Sequence, residues 1–448
     1  MIWPMTTRRD ETGTLEVGGV SLARIATDFG TPVYVYDELT LRSSARAFRD
    51  TFVEAYPRSR VVYAAKAFLA SAIVEVLREE GVGIDVVSGG ELFVALRAGM
   101  PASDISFHGN NKSVAELREA IDAGVGAIVI DNVHEIDLLV PLVAGRPDPV
   151  PVPLPVMLRV NPGVDVHTHS KISTGLADSK FGMPIASGGA AEAVARIVAA
   201  PNLHLIGYHA HVGSQLFDPD ATISSIEALV AFGAAMRERH GIEMAHLSPG
   251  GGFGIAYLDT DRPLDAATWA RIVAGAVIDG CARRGLPLPI VTVEPGRSIV
   301  GRAGVALYAV GAIKELPGIR TYVSVDGGMA DNIRPALYDA RYTATIANRD
   351  PDGPMRTVTI AGKYCESGDV LIDRIDLPRI APGDLLAIPA AGAYCLSMAS
   401  NYNLAPRPAA VLVGDGKTRL IRRRETYDDL VGTDAATGLD LTPGPRSR

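Results

Sequence analysis

Lys66 ends the run Val61-Val62-Tyr63-Ala64-Ala65-Lys66, which puts one primary amine where an apolar strand would leave the core. A partly desolvated amine has a lowered pKa and condenses with carbonyl groups, the chemistry of a covalently anchored cofactor. The same position suits an ordinary strand end, so the reading needs support from the rest of the chain. Ser248-Pro249-Gly250-Gly251-Gly252-Phe253-Gly254 brings three consecutive glycines, whose bare backbone lets N–H groups cradle an anion, although a plain turn uses the same residues. Glu294-Pro295-Gly296-Arg297 sets a carboxylate and a guanidinium three residues apart. A buried acid is costly unless paired, so Glu294 calls for a cation, either Arg297 or another group. His209 and His211 fall on one face of a strand, the geometry of two metal ligands, and a metal-dependent barrel hydrolase is the alternative from a different class. That site would need further ligands, and the other spaced pair, His167 and His169, lies in a loop rich in Ser, Thr and Lys. Stacking or core packing therefore suits His211 better, and no metal is expected.

Such residues need a frame to hold them. Short apolar runs begin near Val61, Ile84, Ile105, Ala127, Val156, Leu205, His246 and Ile290, with segments of helical period between them. After the first run, apolar residues at 73, 74 and 77 predict a helix with Ser71 as its N-cap and Gly81 as its stop. Eight strand-helix repeats over roughly 250 residues predict an α/β protein built on a (β/α)8 TIM-type barrel, and a doubly wound open sheet shares that alternation. Barrel chemistry gathers at the C-terminal ends of strands, with anion binding after the seventh and eighth. Lys66, the glycine run and Glu294 with Arg297 all take such positions. Pro147 to Pro155 reads as a surface loop before the fifth strand. Beyond Gly304, the segments Val305–Tyr308, Tyr322–Val325, Arg356–Ile360 and Ala409–Val413 look like strands without long helices between them. The expected domains are a barrel over 35–304 and an all-β barrel or sandwich over 305–448, joined by residues 1–34 and ending in a frayed tail from Thr442.

Composition bounds the class. With 448 residues, 47% of them apolar and 21% charged, the chain can bury cores for two domains and reads as a soluble globule. A net charge of -8 without a long basic run argues against a nucleic-acid partner. Cysteines 281, 365 and 395 are too few for a disulfide framework, and Cys281 reads as packing. The N-terminal segment lacks a signal-peptide apolar region, and no stretch approaches the roughly 18 apolar residues of a membrane span. These features imply a cytoplasmic protein.

Ordered along the chain are Tyr63-Ala64-Ala65-Lys66-Ala67, the segment from Asp85 to Leu92, Phe107-His108-Gly109-Asn110-Asn111-Lys112-Ser113 and Arg159-Val160-Asn161-Pro162-Gly163-Val164. Further on come Lys180-Phe181-Gly182, the segment from His211 to Gln215, the glycine run and Glu294-Pro295-Gly296-Arg297. The last third adds Asp326-Gly327-Gly328-Met329, Arg334-Pro335-Ala336-Leu337-Tyr338, Cys365-Glu366-Ser367-Gly368-Asp369 and Gly392-Ala393-Tyr394. Together they resemble the motifs of the diaminopimelate decarboxylase family, whose barrel is of the alanine racemase type, from about Gly30 to beyond Asn403.

The resemblance implies a pyridoxal 5'-phosphate enzyme that converts meso-2,6-diaminopimelate to L-lysine and carbon dioxide, the last step of lysine synthesis. It implies Lys66 as the covalent anchor, Glu294 facing the pyridine nitrogen and His211 stacked on the ring. Ser214, Gly250, Gly251, Gly252, Arg297 and Tyr394 would surround the phosphate, with Asp85 and Glu91 close by. The substrate would meet Arg297, Arg334, Tyr338, Glu366 and Tyr394, with Arg334 on a carboxylate and Glu366 on the distal ammonium. Cys365 would be the proton donor. The family shares each site across a homodimer, the Cys365-Glu366 loop arriving from the neighbouring subunit. A related amino acid or a carrier-bound glutamyl group stays open as substrate. A non-catalytic cofactor-binding protein also stays open, although the Cys365-Glu366 and Tyr394 segments speak against it. The loop from His167 to Leu176 keeps the family outline and is a candidate gate.

Overall fold

All eight apolar runs form parallel strands in a computed structural model that describes residues 1–144, 153–164 and 179–434. The strands are β1 (Ser59–Ala64), β2 (Gly83–Val86), β3 (Ile105–Phe107), β4 (Ala127–Ile130), β5 (Leu154–Asn161), β6 (Leu203–His209), β7 (His246–Gly250) and β8 (Ile290–Val293). Each pairs with its sequence neighbours, and β8 pairs with β1, so the sheet closes as a barrel and the open-sheet alternative is excluded. Most of the proline-rich loop, the His167–Leu176 segment and the C-terminal tail lie outside the described residues.

The helical ring begins before the first strand. Helix α1 (Glu38–Ala55) precedes β1 and packs beside α8 (Ala266–Arg284), which completes the outer layer. Between them run α2 (Ser71–Glu79), α3 (Gly89–Arg97), α4 (Val114–Ala123), α5 (Val133–Ala144), α6 (Gly189–Ala199) and α7 (Asp220–His240). Helix α2 buries Ile73, Val74 and Leu77 as its period predicts, but Ser71 is its first helical residue and extended Ala70 is the N-cap. Gly81 follows at φ +68°, a left-handed conformation that lets the chain turn into β2.

Inside the barrel the lower lumen is lightly filled. Ser106, Ala127, Ser248 and Thr292 line it beside Val129, Met157 and Ile206, and a cavity of ≈ 450 Å³ remains below Glu294 and His108. Bulky branched side chains usually fill such layers.

The second sheet runs in the order Val370–Leu377, Arg356–Ala361, Arg320–Val325, Gly304–Leu316, Val33–Asp37, Ala409–Gly414, Lys417–Arg422, with Leu385–Ile388 also on Gly304–Leu316. The boundary expected between residues 34 and 35 falls inside Val33–Asp37, whose residues pair entirely within this sheet. At its end the Asp37 carboxylate accepts a hydrogen bond from Thr40 N–H at 3.1 Å and caps α1, so strand and barrel meet at residue 37. Among the described residues, no helix is long and apolar enough to cross a membrane.

Candidate active site

Where β1 ends, the turn Ala65–Ala67 buries both alanines and aims Lys66 between them into a cavity of ≈ 750 Å³ at the C-terminal mouth of the barrel. Lys66 is exposed rather than partly desolvated, because a single turn lifts it clear of the strand. The carbonyl of Ala67 accepts from Tyr394 N–H at 2.8 Å and from the Ser397 hydroxyl at 3.0 Å, so the second domain clamps the turn that carries the amine.

Below Lys66, Glu294 leaves β8 and is buried. It accepts from the Ser248 hydroxyl at 2.8 Å and pairs with His209 Nε2 at 3.1 Å, while His108 Nε2 lies 3.7 Å away. Burial opposes its ionisation, but His209, which also hydrogen-bonds it, holds Glu294 well below the usual carboxylate range. Asp85 on β2 goes the other way: burial first, then the Glu294 charge, push it well above that range. The two directions favour the negative charge on Glu294 and disfavour it on Asp85. Burial, followed by the charges of Lys66 and Arg159, lowers half-buried His211 well below the ordinary imidazole value, so its ring is neutral. Burial does the same to His108.

Arg297 is not the ion-pair partner of Glu294; among the described residues the two make no such pair. Buried Arg297 donates to the Ser214 hydroxyl at 2.9 Å and to the Tyr257 hydroxyl, and its guanidinium carbon lies 4.8 Å from the centre of the Tyr394 ring. A recess of ≈ 50 Å³ opens beside it, shared by Lys66, Ser214, Gly251, Gly252, Gly296 and Arg297. A Cβ on Gly251 would stand 2.1 Å from the Glu294 carbonyl oxygen, and one on Gly252, at φ +94°, 2.4 Å from that of Gly213. Close backbone approach is therefore the first reason for these glycines, and the Gly251 N–H donates to His211 Nδ1 at 3.2 Å. Gly250 is buried behind the recess and lines neither cavity.

The pair that the alternative metal reading would need does not meet as such. His209, the last residue of β6, packs edge-on against His108 with ring centres 4.8 Å apart, whereas His211 serves Gly251. The three potential ligands that converge are His108, His209 and Glu294, and both Glu294 oxygens already take hydrogen bonds.

From the second domain, Arg334 opens the helix Arg334–Tyr338 and is buried, and with Tyr338 and Tyr394 it lines the large cavity. Cys365 and Glu366 do not; both are exposed in the turn between Arg356–Ala361 and Val370–Leu377. Cys365 N–H donates to Asn403 Oδ1 at 3.0 Å, which fixes that turn on its own side. Glu91 also stays outside the lining, its carboxylate accepting from Val87 N–H at 2.8 Å, which is a rim-building contact.

His108, Arg159 and Tyr257 line the cavity although the sequence reading gave them no role. His108 and Arg159 stand inside motifs already noted, so the signal was present. Buried Lys112 fixes the segment after His108, donating to the Gly109 carbonyl at 2.8 Å and pairing with Glu135 at 2.7 Å. Tyr257 follows the glycine run in an irregular turn, where neither strand nor helix period marks it.

An amine, a cation-edged recess and an ionised carboxylate on one cavity are the handles that pyridoxal 5'-phosphate requires. Asp85 Oδ1, His108 Nε2 and Arg297 Nε are buried in that lining without hydrogen-bond partners, which leaves polar capacity for a bound group. The comparisons agree with this fit. Residues 41–301 match the family model for the pyridoxal-dependent decarboxylase, pyridoxal binding domain. The chain is 46% identical over 429 residues to diaminopimelate decarboxylase of Bacillus subtilis (strain 168), covering 96% of this chain and 97% of the relative. It is 45% identical to the diaminopimelate decarboxylase of Synechocystis sp., with 96% and 92% covered. Among solved structures, diaminopimelate decarboxylase from M. jannaschii in complex with L-lysine superposes with a TM-score of 0.89 at 34% identity, covering 97% of this chain and 99% of that one.

Proposed function

This chain belongs to the diaminopimelate decarboxylase family, and from that premise we propose how its residues divide the work. The reaction is the pyridoxal 5'-phosphate-dependent decarboxylation of meso-2,6-diaminopimelate to L-lysine and carbon dioxide. The observation that carries the residue assignments is the convergence of Lys66, Glu294 and the Arg297 recess on one cavity. When bound, the cofactor supplies a carbonyl for the substrate amine and an electron-withdrawing ring for the electron pair that carbon dioxide leaves behind.

Lys66 would hold the cofactor through its amine. Glu294, ionised between Ser248 and His209, holds a proton on the ring nitrogen. Ser214, Gly251, Gly252 and Arg297 bind the phosphate with Tyr394 at their edge, while Gly250 fixes the backbone behind them. Neutral His211 would present its ring face without adding charge, and Asp85, whose ionisation burial disfavours, would line the same space. Arg334 takes a substrate carboxylate by charge-assisted hydrogen bonds, with Tyr338 and Tyr394 shaping the space around it.

Cys365 as proton donor and Glu366 as the ammonium partner stand outside their own chain's cavity, which supports a homodimer in which each copy completes the other's site. Among the described residues, the barrel domain then spans 38–303, with 1–37 and 304–434 forming the second domain. Free thiols at Cys281, Cys365 and Cys395 support work in a reducing cytoplasm.

Incubation with meso-diaminopimelate and added cofactor should yield lysine and carbon dioxide in equal amounts, and unaltered substrate would refute the reading. Mixing Lys66→Ala and Cys365→Ala chains tests the shared site. Activity should return in the hybrid, since one of its sites keeps both residues, and a mixture as inactive as its parents would rule out sharing.

A further inference from the structure

Two guanidinium groups, Arg297 and Arg334, face one cavity, and like charges brought together in a buried lining repel. Between them stands Tyr257, itself buried. Its hydroxyl accepts a hydrogen bond from Arg297 Nη1, and its ring centre lies 4.7 Å from the Arg334 guanidinium carbon. A second ring completes the arrangement on the far side: Tyr342 meets Tyr257 edge to face at 5.3 Å and 87°, and its hydroxyl accepts from Arg334 Nη1. The turn carrying Tyr257 is pinned by Asp261, whose carboxylate accepts from Tyr257 N–H at 2.9 Å and Leu258 N–H at 3.0 Å.

We propose that Tyr257 is a positioning residue that couples the cofactor-phosphate side of the site to the substrate-carboxylate side, its hydroxyl orienting Arg297 and its ring face orienting Arg334. One side chain then sets the separation of the two cations, and with it the distance between the bound phosphate and the substrate carboxylate. The hydroxyl bonds Arg297, whereas the ring lies closer to Arg334 at 4.7 Å than to Arg297 at 5.7 Å, so removing the hydroxyl alone separates the two functions. The coupling to substrate rests on the assignment of Arg334 made above.

The test uses the full-length enzyme with Tyr257→Phe, Tyr257→Leu and Arg334→Lys. Cofactor affinity is read by spectral titration of the cofactor-free protein, and KM and kcat are measured with meso-diaminopimelate. Tyr257→Phe keeps the ring and loses the hydroxyl, so the cofactor dissociation constant should rise by about tenfold while KM moves less than about twofold. Tyr257→Leu loses both, so it should add a rise in KM of about tenfold with kcat little changed. Unchanged cofactor affinity in Tyr257→Phe overturns the hydroxyl arm. Unchanged KM in Tyr257→Leu, where Arg334→Lys does raise KM, overturns the ring arm. If Arg334→Lys leaves KM unchanged, the substrate assignment itself fails, and the ring arm falls with it while the Tyr257→Phe result still decides the hydroxyl arm. Should Tyr257→Leu not fold, Tyr257→Trp, which keeps a ring face and lacks the hydroxyl, takes its place. It should then match Tyr257→Phe in cofactor affinity and keep KM, and a KM rise equal to that of Arg334→Lys would overturn the ring arm.

Discussion

Lys66, Asp85, His108, His209 and Glu294 stand at the ends of five strands of one closed ring, whereas Arg334, Tyr338 and Tyr394 reach the same cavity from short helices and turns of the second domain. The first group is held by a continuous backbone ladder, so its spacing follows once the barrel closes. The second depends on how two domains pack, through contacts such as Tyr394 N–H and the Ser397 hydroxyl on the Ala67 carbonyl. Cys365 and Glu366, also of the second domain, are exposed and do not line the cavity of their own chain. The difference teaches where the proposed roles separate: apart from Tyr394, the groups proposed to serve the cofactor sit on the ring, and Arg334 and Tyr338, proposed for the substrate, sit where domain packing decides their place.

The most severe break in this comparison should come from the barrel side. Lys66→Ala should lower activity on the order of 10³-fold or more and abolish the near-visible absorbance of the anchored cofactor. An unchanged spectrum would remove the anchor from the barrel. Glu294→Gln keeps the shape and discards the charge. Its kcat should fall by about 10² to 10³-fold with KM nearly constant, because the lost interaction matters most as charge develops. A change confined to KM would make the barrel floor a substrate-binding surface and erase the distinction.

Arg334→Met probes the other side. Losing a charge-assisted pair should cost about 2–3 kcal/mol of substrate binding, seen as a KM rise of about 10²-fold, while spectral titration finds cofactor affinity unchanged. If cofactor affinity falls equally, the two sides act as one unit, and the Tyr257 bridge is stiffer than its two contacts suggest.

The same divide governs what the sequence made legible. Strand period and helix spacing located all eight barrel strands, since each is a local pattern repeated in register, and every strand-end residue inherited its place. The helix start at Ser71 was misplaced by one residue because a serine beside a helical run looks like a cap whether or not the backbone is extended there. Exposure of Lys66 was invisible because it depends on a three-residue turn. Arg334 and Tyr394 were legible only through resemblance, since no local period marks a side chain whose position comes from domain packing. Tyr257 escaped because it lies in an irregular turn that carries no period, and the failure of Glu294 and Arg297 to pair reflects competition from His209, Ser248, Ser214 and the Tyr257 hydroxyl, residues distant in the chain.

Buried carboxylates give the finest comparison. On the barrel side, imidazoles and a hydroxyl keep Glu294 charged. In the second domain Asp331 is equally enclosed but meets the hydroxyls of Tyr308 at 2.5 Å and Tyr34 at 3.1 Å and the N–H of Gly328 at 2.9 Å. Burial outweighs those three donors and raises Asp331 to about 6. Its folded value therefore exceeds its unfolded value of about 3.9, and between the two the folded state binds the extra proton. Stability from this group is fully present below about pH 4, declines as pH rises, and is lost above about 6, a change of about 3 kcal/mol. Asp331→Asn cannot ionise. Measured by denaturant unfolding, its stability relative to the parent should rise by about that amount between pH 4 and 7, whatever the constant cost of rearranged hydrogen bonds. A flat difference would mean that Asp331 stays charged like Glu294, and that hydroxyls alone can hold a buried charge where the barrel floor also employs imidazoles.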